Sequence, residues 1–163
     1  MAPDPDPSVD RTTTVPLLAA HRVELDLSRA LDALTNVGWL GSLEAGPADH
    51  PDWRRVGTVL ALPVADGSAP GPVRKGALVD IGPPTASTEG LVIDVGWQSD
   101  SMAPLFPVFA GRLRITPTGL FLDGRYAPPL GRLGLLIDER LLHFIARRTA
   151  QAFLDRLADR IAG

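Results

Sequence analysis

Apolar residues recur at steps of three and four positions over residues 138–162, a stretch without Gly or Pro. This spacing places them on one face of a helix, with charged and amide side chains mostly on the other. Asp138 is suited to cap the start of this helix, and Gly163 closes the chain after it. At about 1.5 Å per residue the helix would extend roughly 36 Å, enough to cross a small domain. Its apolar face consists of Leu142, Ala146, Ala150, Phe153, Leu157 and Ile161.

Five segments upstream of this helix alternate apolar and polar residues, the pattern of half-buried strands. Stretches rich in turn-forming residues separate them, and 117–119 is short enough for a tight hairpin. No helical spacer lies between the segments, so the sequence predicts an antiparallel meander rather than a parallel βαβ sheet. The five segments are 54–64, 73–81, 91–97, 108–115 and 120–126.

The part of the chain before the meander predicts one more strand and a short helix. Residues 22–27 alternate strictly and predict a half-buried strand. Ser28 then fits the N-cap of a helix. Gly38 and Gly41 weaken this helix, so we expect it to break and restart before a loop at 44–52.

The N-terminal residues differ in composition from the rest of the chain. Residues 1–14 alternate Pro and Asp and then run through Ser and Thr, which predicts a disordered tail. Residues 15–163 fit one domain with a real core. The start has no signal-peptide pattern, and no apolar run approaches the ~18 residues of a membrane span. We therefore expect a cytoplasmic protein without stable membrane insertion.

Composition removes several classes of function. The formal net charge of −3 and pI near 5.5 argue against a nucleic-acid partner. The chain has no cysteine, which excludes disulfides, thiolate metal sites and a Cys nucleophile. It also has no nucleophile elbow, no phosphate-binding Gly loop and no pair of His residues with ligand spacing. We assign no metal, no cofactor and no catalytic residue.

Charged residues interrupt the predicted strands. Asp80, Asp94 and Asp123 each lie within one, and Asp94 stands in a run that is otherwise apolar on both faces. A buried carboxylate there would need a partner such as Arg112 or Arg114. These two arginines, with Arg125, would form a basic stripe on the outer face of the sheet.

The passage from the last strand into the final helix resembles a known superfamily. Residues 122–138 contain a strand-like stretch, Pro-Pro-Leu-Gly and a Leu-rich turn, and the helix then carries a Phe-Leu-x-x-Leu pattern. This passage is similar to bacterial members of the START/Bet v1-like (SRPBCC) superfamily. The order of strand, broken helix, meander and long helix also resembles its helix-grip fold. That α+β fold is a curved antiparallel sheet of six to seven strands wrapped around a long C-terminal helix.

The resemblance implies a cavity between the sheet and the final helix that holds a hydrophobic small molecule, lipid or polyketide-like. Aromatic residues with one polar atom suit such a pocket, although they would equally well fill an ordinary core. Trp39 is expected near an entrance, and Ile145 belongs to the same surroundings. The expected ligand-binding residues are Trp39, Trp97, Phe109, Leu113, Leu122, Tyr126, His143 and Phe144.

Three functions remain open from the sequence. The first is non-catalytic binding of a hydrophobic molecule, oriented by Tyr126 and His143. The second is a cyclase or aromatase that uses His143, Tyr126 or an inward Asp as its acid–base group. The third is an interaction protein whose cavity is filled by its own side chains. The ligand, protein partners and oligomeric state stay undetermined.

Overall fold

A computed structural model describes residues 14–41, 46–48, 50–62, 73–100, 108–127 and 139–163. The predicted tail at 1–13, the Asp138 cap and the Pro-Pro-Leu-Gly passage lie outside these ranges. Within the described ranges, two α-helices and a short 3-10 helix accompany seven strands. The helices are α1 (Leu27–Thr35), the 3-10 helix (Val37–Trp39) and α2 (Glu139–Ala162). The strands are β1 (Val15–Arg22), β2 (Arg54–Leu62), β3 (Val73–Ile81), β4 (Thr85–Ala86), β5 (Leu91–Ser99), β6 (Val108–Thr116) and β7 (Gly119–Ala127).

The strands form one antiparallel sheet in the order β1-β7-β6-β5-β3-β2, with the two-residue β4 paired to β5. Each strand from β2 to β7 pairs with a neighbour in sequence, as the meander predicts. The first strand instead pairs with the last, which makes β1 and β2 the two edges. Helix α2 contacts both of these edge strands. The sheet therefore curls around the helix, and the α+β architecture predicted from the sequence is confirmed.

The predicted strand boundaries and faces agree with the structure. The segment predicted at 73–81 matches β3, and the other four differ from their strands by no more than two residues at either end. Along β5 and β6 the buried side chains lie two or four positions apart, and they define the inner face of the sheet. All six residues predicted for the apolar face of α2 are buried.

The prediction for the first strand was wrong. The strand is β1, Val15–Arg22, and residues 23–26 leave the regular ladder. The backbone N–H groups of Val23 and Leu25 donate instead to carbonyls in the turn between β6 and β7. These two side chains do pack inward, as the alternation indicated, but their backbone partners belong to a turn rather than to a strand.

The predicted N-cap of the first helix also needs correction. Asp26, not Ser28, caps α1, because its carboxylate accepts hydrogen bonds from the backbone N–H groups of Ser28 and Arg29. The Ser28 hydroxyl donates to the same carboxylate. This hydroxyl first, and the two backbone donors after it, hold the pKa of Asp26 below its ordinary value. The helix then stops and restarts as the 3-10 helix, as expected.

Polar contacts fix α2 against both edges of the sheet. On the β1 side, His21 Nδ1 lies 2.7 Å from Asp155 Oδ1. On the β2 side, the Arg156 guanidinium donates to Thr58 Oγ1 and to the Leu40 carbonyl, both at 3.1 Å. Thr58 is buried, and its hydroxyl donates to the same Leu40 carbonyl at 2.6 Å. These contacts set the position of α2 across the inner face.

In the described part of the chain, neither helix combines the length and the apolar character that crossing a membrane requires.

Candidate functional site

Three aromatic residues form one row across the inner face of the sheet. The register pairs Trp97 on β5 with Phe109 on β6, and Phe109 with Tyr126 on β7. All three are at most 3% exposed. The rings of Trp97 and Phe109 stack, with centroids 4.1 Å apart and an interplanar angle of 19°. The ring centroid of Phe153 on α2 lies 5.8 Å from that of Trp97, so the helix contacts the aromatic row of the sheet.

Two glycines make room for the centre of this row. Gly111 and Gly124 are paired across β6 and β7, and a Cβ added to either would lie 2.6 Å from Cζ of Phe109. The Phe109 ring therefore lies flat over backbone that carries no side chains. These glycines leave the space that the ring occupies beside Trp97.

A second row lies further along the same face. Leu113 on β6 pairs with Leu122 on β7, and Ile93 and Ala19 continue the row on either side. Leu113 and Leu122 are each 1% exposed. The structure thus brings five of the eight predicted site residues together in one buried layer facing α2, as two rows on either side of the Gly111–Gly124 pair. Their role as ligand contacts stays a prediction.

His143 on α2 reaches the end of the aromatic row. Its Nδ1 lies 3.3 Å from the Tyr126 hydroxyl oxygen, and the two ring centroids are 6.0 Å apart. Tyr126 is buried, whereas His143 is half-buried. The pair is the arrangement that a proton transfer between a phenol and an imidazole would need.

The remaining predicted residues lie apart from this layer. Trp39 is half-buried, and its indole N–H donates to the Ala33 carbonyl at 2.7 Å. Phe144 is 42% exposed, and Arg148 lies over its ring at 5.4 Å. Ile145 is partly buried against the core.

Two polar atoms in the buried layer have no hydrogen-bond partner among the described residues. They are the indole Nε1 of Trp97 and the hydroxyl Oγ1 of Thr149, a residue with no exposed surface. Thr149 lies one helical turn before Phe153, which contacts Trp97. Sequence analysis missed Thr149, although its place between Ala146 and Phe153 on the apolar face of α2 could have indicated it.

Comparison with solved structures identifies the architecture. The chain is similar to TTHA0849 from Thermus thermophilus, with 16% identity, a TM-score of 0.58 and coverage of 91% of this chain and 97% of that one. It is similar to the same degree to the ZhuI aromatase/cyclase from Streptomyces sp. R1128, with 12% identity, a TM-score of 0.58 and coverage of 91% and 94%. The chain has a helix-grip fold. The predicted resemblance to the START/Bet v1-like superfamily is thereby confirmed at the level of fold.

Neither a protein-family model nor a curated protein sequence matches this chain. At these identities the two structural neighbours establish the fold alone. The function must therefore be argued from the residues of this chain.

The predicted basic stripe lies on the outer face of the helix-grip sheet, away from the two rows. Arg112, Arg114 and Arg125 are all exposed. Asp94 pairs with Arg112, one of the two partners that the sequence indicated, at 3.2 Å, and its side chain is 51% exposed, so the pair lies at the surface. The residue faces outward because the strand alternation puts Ile93 and Val95 on the inner face.

The Asp80 carboxylate, unlike that of Asp94, is largely enclosed within the helix-grip sheet. Its two oxygens each accept a 2.7 Å hydrogen bond from Arg55 across the β2–β3 ladder, and both side chains are at most 15% exposed. This bidentate pair is structural and offers no free base. Within the ranges that the structure describes, no group of His, Asp and Glu side chains could hold a metal ion.

Proposed function

We propose that this protein binds a hydrophobic small molecule between the inner face of its sheet and α2, without catalysis. The observation that carries the proposal is the pair of buried polar atoms without a partner in the described residues, Trp97 Nε1 and Thr149 Oγ1. A buried polar group without a partner costs about 1–3 kcal/mol. A ligand with an acceptor for the indole N–H and a polar atom near the hydroxyl would remove that penalty.

The surroundings of these two atoms favour a predominantly apolar ligand. The inner face of α2 carries small side chains at Ala146 and Ala150, next to Thr149, and neither alanine is more than 1% exposed. The facing rows of the sheet supply aromatic and leucine side chains. Binding energy would come from buried apolar area, and orientation would come from the few polar atoms. The similarity in fold to an aromatase/cyclase supports a polyketide-like or lipid-like ligand.

The first test is native mass spectrometry of the purified protein, followed by denaturing extraction of any bound molecule. We expect an apolar molecule at about one equivalent per chain, since small-molecule sites are few per protein. A protein of clean apo mass, with no thermal shift across a panel of lipids and polyketides, would refute the proposal. It would favour the interaction protein with a filled core.

Matched variants connect the ligand to the proposed atoms. Trp97→Phe keeps a stacked ring on Phe109 but removes the N–H donor, and Thr149→Val keeps the branched side chain but removes the hydroxyl. Each should weaken ligand binding about tenfold, as expected for one lost hydrogen bond in a buried site. Thr58→Val is the control, because Thr58 is a buried threonine whose hydroxyl already has partners within the protein. Unchanged affinity in both site variants would contradict the assignment of these two atoms.

A second candidate function rests on the Tyr126–His143 contact at 3.3 Å. In an enzyme of the cyclase or aromatase type, this pair would carry protons to and from a bound polyketide. Tyr126→Phe and His143→Ala should then abolish turnover while leaving ligand affinity nearly intact. In a carrier the same changes would lower affinity modestly, and there would be no turnover to lose.

A further inference from the structure

A surface groove runs between the edge strand β1 and the N-terminal half of α2. It holds about 560 Å³, a volume typical of small-molecule sites. One wall is formed by residues 18–20 of β1, and the other by side chains of α2 from Arg140 to Gln151. This basic groove adjoins the buried layer through Ala19 and His143, whereas Phe153, which contacts Trp97, does not line it.

The helix wall of the basic groove is strongly cationic. Arg140, Arg147 and Arg148 all line it; Arg140 and Arg147 lie two turns apart on one stripe of the helix, and Arg148 lies one turn after Phe144. Within the described residues, neither Arg147 nor Arg148 has an ion-pair partner. The nearest acidic side chain further along α2 is Asp155, which is engaged by His21 and Gln151.

The basic groove also exposes large apolar side chains. Leu18 on the strand wall is 67% exposed, and Phe144 on the helix wall is 42% exposed. The Arg148 guanidinium lies over the Phe144 ring, 5.4 Å from its centroid. A cationic hydrogen-bond donor and an aromatic ring are therefore in contact with each other. A ligand here would meet guanidinium donors and apolar surface within the same small volume.

We propose that the basic groove binds a small organic anion, a carboxylate or phosphate attached to an apolar or aromatic group. Arg147 and Arg148 would donate to the anionic oxygens, since guanidinium donors match carboxylate and phosphate geometry. Phe144 and Leu18 would contact the apolar portion from opposite walls. This site does not depend on the proposed ligand of the buried layer.

Phenyl phosphate is a suitable probe, with inorganic phosphate for comparison. Titration into the ¹⁵N-labelled full chain, followed by NMR, should give saturable shifts at residues 18–20 and 140–151. Phenyl phosphate should bind several-fold more tightly than inorganic phosphate because only it reaches Phe144 and Leu18. Added NaCl should weaken both, since exposed charges are screened.

Charge-removing variants make the test specific. The double change Arg147→Gln and Arg148→Gln should weaken phenyl phosphate about tenfold, as expected for lost charge-assisted hydrogen bonds. Arg160→Gln is the matched control, an exposed arginine on the same helix but outside the groove. If the double variant fails to fold by circular dichroism, Leu18→Ser tests the opposite wall, and its exposure makes misfolding unexpected.

Three results would overturn the proposal. One is the absence of saturable shifts at millimolar probe. Another is equal loss of binding in the Arg160→Gln control, which would indicate a general charge effect. The third is equal affinity for phenyl phosphate and inorganic phosphate, because the apolar half of the groove would then have no role.

Discussion

Replacing Thr149 by valine should stabilise the ligand-free protein. The Thr149 side chain has no exposed surface, and its hydroxyl has no hydrogen-bond partner in the described part of the chain. Threonine and valine share the branched shape and have similar helix propensities, so the substitution changes little except the hydroxyl. The unfolded chain hydrates that hydroxyl, whereas the folded chain leaves it unpaired.

The expected gain in stability follows from the desolvation of the Thr149 hydroxyl. An unsatisfied buried hydroxyl destabilises the native state by about 1–3 kcal/mol, and its replacement by a methyl group returns most of this. Taking the lower end, we expect the free energy of unfolding to rise by about 1 kcal/mol. For a chain of this size the melting temperature should then rise by about 2–4 °C.

The assay is chemical denaturation of protein refolded from denaturant, so that no bound molecule contributes. Thr58→Val is the matched control, because the Thr58 hydroxyl donates to the Leu40 carbonyl and accepts from Arg156. That change should destabilise the protein by about 1–3 kcal/mol, since it leaves buried partners unpaired. If Thr149→Val is as destabilising as Thr58→Val, the Thr149 hydroxyl is satisfied within the protein, and the reasoning for a ligand at this atom fails.

Three further changes test the scaffold. Asp80→Asn should destabilise the protein by about 3 kcal/mol in urea denaturation, because it removes the charge of a carboxylate that makes two hydrogen bonds to an enclosed guanidinium; a loss below about 0.5 kcal/mol would contradict this. Gly111→Ala should cost about 2 kcal/mol or more, since the new Cβ would meet Phe109 and fixed backbone atoms, and a variant as stable as the parent would show that the ring can move aside. Asp26→Ala should lower the melting temperature at neutral pH. Because folding lowers the pKa of Asp26, the difference in melting temperature between parent and variant should persist above about pH 4. It should shrink as the pH falls through the lowered pKa. A difference that grew toward acidic pH would rule out the capping role.

Periodicity was enough to predict the faces of the long elements. Leu142, Phe153 and Ile161 follow the helical repeat and are buried. Strand β1 was not predicted because apolar and polar residues do not alternate along it. Leu17 is buried, while the equally apolar Leu18 points outward and is 67% exposed. Its pairing partner, β7, lies too far along the chain for local patterns to indicate it.

The candidate site was predictable in composition but not in arrangement. Alternation places Trp97, Phe109 and Tyr126 on inner faces, but only the register of the hairpins aligns them in one row. A one-residue slip would turn these side chains outward. The unpaired state of Thr149 depends on what surrounds it in three dimensions, which no local pattern encodes.

The pairing of β1 with β7 has a consequence for synthesis of the chain. Strands β3, β5, β6 and β7 can each add to a strand made shortly before, but β1 must wait for a partner that the ribosome completes about 100 residues later. At about 5–20 residues per second, this wait is on the order of 5–20 s. Until β7 is made, Leu18 and its apolar neighbours lie on an unpaired strand. A chaperone that recognises extended apolar segments would bind there.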